Sequence, residues 1–311
     1  MKENRYRGLV EGALLLAVWL LLAIVTAFTP IGLASAVLLP LPVVVLVVRQ
    51  GLGPALLLVS LSFFVPLLVG VDLLRTVVMA LMSSIPGLAL GLGYRRKLKP
   101  TTVFAFGLGG NIFAVFLLMN LLSLAWGINL VVEFLNFLQQ ATRMALELME
   151  SARQLPTESL ERFIEGWPLL EEGAALLIPG LILIVMTAMT FFLQNISRLV
   201  LNRLGSPVKP FPPFVSWRFG DWYLWLFVFS LFLRFIALRW HPAFWVIGYN
   251  LFSPLFYGLV LQGMAVVYWW LRRVPWKAIR IIPLFTVLFP FMFMLFSLLG
   301  LADFLFNFRR L

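Results

Sequence analysis

Apolar residues run through the chain in long stretches separated by short polar turns, from near the first residue to near the last. A helix that crosses a bilayer needs roughly 17–25 mainly apolar residues. Runs of that kind cover Gly12–Phe28, Ile31–Val48, Leu52–Val71, Thr76–Gly93 and Thr101–Gly127. After a polar interval come Gly173–Gln194, Trp222–Trp240, Ala243–Leu271 and Ile281–Ala302. The pattern predicts an all-α polytopic bundle of about nine transmembrane helices, or eight. Ala243–Leu271 is too short for two spans, so tilt or a kink at Pro254 accounts for its length. Ala34-Ser35-Ala36 resembles a leader cleavage site, but the apolar run before it exceeds the about 7–15 residues of a signal peptide core. The first helix is therefore expected to be retained.

Between Gly127 and Gly173 the pattern changes. Val131, Phe134, Leu135, Leu138, Ala141, Ala145, Leu148 and Met149 recur at helical spacing, and eight of the thirteen acidic residues fall in the same interval. Pro156 is expected to end this helix and Thr157 to cap a shorter one. The interval reads as an amphipathic connector on the extracytoplasmic membrane surface, which is compatible with a lid or docking surface over an outward-facing pocket. It divides the chain into a five-span half (1–127), an acidic segment (128–172) and a four-span half (173–311). Four prolines between Gly205 and Gly220 predict a stiff cytoplasmic loop.

Composition narrows the chemistry. Of 311 residues, 62% are hydrophobic and 12% charged, where a soluble domain carries about 25% charged residues. This places the chain in the cell membrane. Without cysteine, and with His241 as the only histidine, thiolate chemistry, iron–sulfur clusters and multi-histidine metal sites are excluded. No Gly-rich loop is followed by Lys and Ser or Thr, so the chain lacks a Walker-type nucleotide site. No nucleophile–base–orienter set appears either, and the expectation is a protein that is not an enzyme and carries no cofactor or metal. The net charge of +11 does not point to nucleic acid, because the basic residues sit in turns between apolar runs. With a cytoplasmic N-terminus, sixteen Lys and Arg fall inside and seven outside, Arg309 and Arg310 among the seven.

Ionisable groups within spans are costly, at about 2.5–3.5 kcal/mol for a mid-span Arg on insertion scales. Arg234 lies in the outer half of its predicted helix. Asn120 and Asn250 fall at the same depth on two other helices, with Trp245 and Tyr249 close by. These five residues are the candidate ligand site, for an anionic or carbonyl-bearing small molecule. An outward-snorkelling arginine, an interfacial aromatic belt and ordinary interhelical hydrogen bonds explain the same residues equally well. Asn111 and Gln262 are expected to join helices in the inner half, Asp72 and Arg75 to pair, and His241 to sit in an interfacial loop. Ala13 with Ala17 and Gly87 with Gly91 form small-xxx-small pairs, where helices approach closely.

The segments RGLVEGALLLA, LPLPVVVLVVRQGLGPALLL and IPGLALGLGYRRKLKP, with the long acidic interval, resemble the YybS-like group of uncharacterised bacterial membrane proteins. That group is distantly similar to the substrate-binding S components of energy-coupling-factor transporters and to the rod-shape protein MreD. The S-component likeness covers the first five or six spans. It implies a small-molecule-binding or transport component energised by a partner, with Ala13, Ala17, Gly87 and Gly91 as the partner interface toward a coupling subunit. The MreD likeness implies an envelope scaffold that recruits other membrane proteins.

Overall fold

The computed structural model describes residues 2–151, 157–236, 241–272 and 290–309. Every regular element among them is helical: α1 (Lys2–Phe28), α2 (Gly32–Ala36), α3 (Pro40–Arg49), α4 (Leu52–Ser62), α5 (Val65–Leu68), α6 (Leu73–Arg95), α7 (Pro100–Trp126), α8 (Leu130–Ser151), α9 (Thr157–Arg203), α10 (Asp221–Ile236), α11 (Pro242–Leu271) and α12 (Pro290–Phe306), with one 3-10 turn at Phe214–Ser216. Five are long and apolar enough to cross a membrane: α1 from Gly8, α6, α7, α9 from Ala175, and α11 from Ala243. Shorter apolar helices, Leu52–Ser62 and Phe291–Phe306 among them, accompany these. The count of nine is not fixed by the described residues, because parts of the predicted runs at 222–240 and 281–302 lie outside them.

The differences have local causes. The runs expected as single helices at 31–48 and 52–71 are each broken, after Ala36 and after Ser62. Pro40 and Pro66 stand in the first turn of the next helix. Proline donates no backbone hydrogen bond and disfavours helix in the residue before it, so it restarts a helix more readily than it continues one. The reverse happens later. The short helix expected from Thr157 and the span expected from Gly173 are one element, α9, of 47 residues, or about 70 Å at ~1.5 Å per residue. α8 starts where Oδ1 of Asn129 accepts from the N–H groups of Val131 and Val132 at 3.0 and 3.4 Å. The stop expected at Pro156, and Arg153, Arg239, Arg273, Lys277, Arg280 and Arg310 with it, lie outside the described residues.

The chain forms two compact units, one of Met1–Ile128 with Val185–Phe211 and one of Asn129–Ile184 with Pro212–Leu311, so α9 contributes to each. In the first, α3 is buried from Val43 through Val47 and is the central helix. α6 reaches it through Gly87 and Gly91, where an added Cβ would lie 2.7 and 2.6 Å from the Cβ atoms of Val43 and Val47. α7 packs on α6 through Gly107 and Gly110. Polar side chains tie these helices together away from water: Trp19 Nε1 donates to Ser83 Oγ at 3.1 Å, Tyr94 OH to the Gln194 carbonyl at 2.8 Å, and Gln194 Nε2 to the Pro100 carbonyl at 2.8 Å. Glu11 takes hydrogen bonds from Arg49 and Gln50, and Arg49 also reaches the Leu204 carbonyl. At the other end of α1, Arg75 pairs with Asp72 at 3.2 Å, as expected, and donates to the Ala27 carbonyl at 3.1 Å. The unit thus has two distinct ends.

In the second unit α11 is a single helix through Pro254, capped by His241 Nδ1, which accepts from the Ala243 N–H at 3.2 Å. α10 packs on it where Tyr223 OH donates to the Leu255 carbonyl at 2.7 Å beside Gly258. α11 and α12 meet at Gly263 and Gly300, each of which has the other helix's backbone in the place of a side chain. Beyond α12 the chain turns at Asn307, φ +44°, and folds Arg309 inward. Its guanidinium meets Asp303 at 2.7 Å and donates to the carbonyls of Val215 and Trp217 at 2.7 and 2.8 Å. Gln262 completes the network, donating to Asp303 at 3.1 Å and accepting from the Phe219 N–H at 3.2 Å. This corrects one expectation. Three spans between the Pro-rich loop and Arg309 would put them on opposite sides of the membrane, but the two are in hydrogen-bond contact.

Candidate functional site

Of the candidate ligand residues, Arg234, Trp245, Tyr249 and Asn250 belong to the second unit and Asn120 to the first. Arg234, in the last turn of α10, is half-buried, and its guanidinium carbon lies 4.9 Å from the Phe252 ring centroid, 5.0 Å from Tyr249 and 5.4 Å from Phe235. Trp245 stands 5.6 Å from Tyr249 in turn. The charge is held by ring faces, at about 0.5–2 kcal/mol for a favourable cation–π contact. Among the described residues it has neither an ion pair nor a hydrogen bond. Arg234, Tyr249 and Trp245 therefore do come together, with Phe235 and Phe252 added.

Asn250 has a different task. Its Oδ1 accepts from the Gly180 N–H at 2.7 Å, and its Nδ2 donates to the Leu176 carbonyl at 2.6 Å and to the Val246 carbonyl at 3.0 Å. Leu176 and Gly180 are the two ends of one helical rung beside Pro179, so the carboxamide joins α11 to α9 and has no free polar group for a ligand. Gly180 is needed there, since an added Cβ would lie 3.1 Å from Asn250 Oδ1. Asn120 belongs to the first unit. It is exposed on α7 and donates to the Phe116 carbonyl of its own helix at 2.7 Å. The small-residue pairs divide as well. Ala13 and Ala17 are exposed on α1, whereas Gly87 and Gly91 are buried against Val43 and Val47 of α3, so that close approach is used inside the chain.

Within the first unit lies a partly open cavity of about 170 Å³ lined by residues of α1, the α2–α3 turn, α6, α7 and α9. Its wall is apolar apart from Thr26 and Asn111, with Met79, Met82 and Met189 among its residues. It lies toward the Asp72 end, since Thr26 is in the last turns of α1 and Val78 and Met82 are in the half of α6 nearest Asp72. Asn111, 4% exposed, donates through Nδ2 to Thr190 Oγ1 at 2.8 Å, joining α7 to α9. Sequence reasoning had Asn111 as a helix-joining residue, and that role is real, but it missed the cavity beside it. Alanine, valine and methionine in a pocket wall look the same in a sequence as they do in a filled core.

A helical bundle with this much apolar surface and hydrogen-bonded polar pairs within its spans defines a multi-pass membrane protein. The chain belongs to the DUF2232 family of predicted membrane proteins, whose model matches residues 15–304. It is similar over its full length to the uncharacterized protein YybS of Bacillus subtilis (strain 168), with 23% identity over 321 residues, spanning 100% of this chain and 99% of the relative. No solved structure matches the chain.

Proposed function

We propose that this chain is a membrane-embedded component that binds a small molecule for transport, without catalysing a reaction on it, and that a partner protein or an ion gradient supplies the energy. The observation that carries this reading is the cavity of the first unit. Bundle interiors pack as densely as organic crystals, so a gap of this size between helices stands out. Such a space on the path between helices is what a binding component needs. With the shorter apolar helices of that unit counted beside α1, α6, α7 and the second half of α9, this reading takes it as a six-pass module of the S-component kind. The N-terminus is cytoplasmic in this reading, because Arg49, Arg95, Arg96, Lys97 and Lys99 gather at the end of the unit opposite Asp72 and Arg75. Most of the cavity then lies in the outer half, with Asn111 and Leu193 on its inner side.

The test is extraction. Full-length protein purified in nanodiscs and its Ala36→Leu variant, which places a larger side chain in the cavity wall, are compared by mass spectrometry for small molecules that travel with them. A species retained by the wild type and lost from the variant is the expected result, and identical extracts overturn the reading. A second reading, an MreD-like envelope scaffold, draws support from Ala13 and Ala17, which lie exposed beside Leu14 and Val18 on α1 and offer a close-packing surface to another membrane helix. It predicts crosslinks from position 13 or 17 to a specific membrane protein.

A further inference from the structure

We infer that Arg234 holds the phosphate of a membrane phospholipid, in the leaflet at the far end of α11 from Arg272. The inference does not rest on the cavity of the first unit. Depth is the first argument, and α11 is the ruler. Its 30 residues span about 45 Å at ~1.5 Å per residue, which matches the ~40–45 Å of a bilayer with its headgroups. α10 crosses it at Gly248, where an added Cβ would lie 2.6 Å from the Arg234 backbone nitrogen. Arg234 is thus level with Gly248, six residues or about 9 Å from Pro242 at the end of the ruler. With a hydrocarbon core of about 30 Å, each headgroup layer is roughly 5–8 Å thick. The arginine stands at the base of that layer, where phosphate and glycerol lie.

Chemistry is the second argument. A guanidinium carries five N–H donors. The rings of Phe235, Tyr249 and Phe252 attract its charge but offer it no oxygen. Nor does the side chain reach outward for water: its guanidinium carbon lies closest to Phe252, four residues deeper along α11 than Gly248. The indole N–H of Trp245 and the phenol of Tyr249 are further donors with no acceptor among the described residues. No carboxylate stands near. Asp221 opens α10 at its other end, and Asp303 is held by Arg309 and Gln262 toward the Leu271 end. A phosphodiester answers this set, because it brings one negative charge and two oxygens that match the guanidinium fork. The surroundings favour a lipid over a soluble anion. Phe232 and Phe235 on α10 and Phe244 and Ile247 on α11 are exposed beside the arginine, an apolar surface on which acyl chains can lie. A free oxyanion would use the charge and leave that surface uncovered.

The experiment places photoreactive p-benzoylphenylalanine at Ile247, beside the arginine, or at Phe229, exposed deeper on α10. The full chain is held in nanodiscs of phosphatidylglycerol and glucosyl diacylglycerol with the same acyl chains, in equal amounts, and the crosslinked lipid is identified by mass spectrometry. Position 247 is expected to capture the phosphate lipid about tenfold over the sugar lipid, the worth of one charge-assisted hydrogen bond, and position 229 to capture both alike. Arg234→Met should abolish the preference at 247, and Arg234→Lys, which keeps the charge without the fork, should weaken it. Where Arg234→Met fails to fold, the contrast between 247 and 229 in the otherwise unaltered chain decides alone. Equal capture of the two lipids at 247, or the same preference at 229, overturns the site. Loss of the preference in excess inorganic phosphate would assign the arginine to a soluble oxyanion and overturn the lipid. A single protein adduct at 247 in native membranes, in place of lipid, would assign it to a partner's acidic residue and overturn the lipid as well.

Discussion

Asp303 and Arg309 stand six residues apart and each side chain is 1% exposed, so neither charge has water to fall back on. Removing one partner of a buried pair leaves the other uncompensated, at about 3–5 kcal/mol, whereas replacing both by apolar residues is often neutral. Arg309→Ala is therefore expected to destabilise the protein strongly. Asp303→Leu combined with Arg309→Met should recover most of the loss, both read as Tm in detergent. Recovery will be incomplete, since the carbonyls of Val215 and Trp217 also lose their donor. A similar contrast tests the central packing. Gly91→Ala drives a methyl group against Val47 and should cost about 1–3 kcal/mol as an overpacked contact. Gly53→Ala, with nothing within 4 Å of the added Cβ, should leave Tm unchanged or slightly raised.

At the scale of elements, legibility followed how continuous the chemical signal was. α6, α7 and α11 stand close to their predicted bounds because each is an unbroken apolar run of membrane-spanning length. The prolines at 40, 42 and 66 sit inside equally apolar runs, and hydropathy does not register a missing N–H. α9 failed in the opposite way: its first half is acidic and its second half apolar, so a shift in composition was read as a break in a helix that has none. The same distinction applies to the candidate site. Arg234, Tyr249 and Trp245 came from depth along their helices and do cluster. The role of Asn250 stayed hidden because its partners are the backbone of Leu176 and Gly180, which no side-chain pattern announces. Asn250→Leu removes both bonds to α9 beside Pro179 and should cost about 2–4 kcal/mol, the penalty of two buried backbone groups left unpaired. Asn120→Leu on an exposed face should change Tm by less than about 0.5 kcal/mol equivalent. A ligand site shared by the two asparagines would instead make both substitutions act on binding with little effect on Tm.

For the molecule as a whole, the C-terminal network decides the topology of the last third of the chain. Contact between Arg309 and the Pro-rich loop requires an even number of crossings between Val215 and Arg309. α10 leaves the loop, and α11 returns to it where Gln262 meets Phe219. The stretch from Arg272 to Arg309 must then begin and end on one side, even though it contains the apolar α12. The absence of cysteine makes this directly measurable. Single cysteines at Arg96, Ser216 and Phe308 are expected to react with a membrane-impermeant maleimide only after the inner face is opened, and one at Glu147 in intact cells. Labelling at 308 from the outside, with 216 protected, would separate Arg309 from Val215 and dissolve the network. Labelling of 96, 216 and 308 together from the outside would keep the fold and invert its orientation.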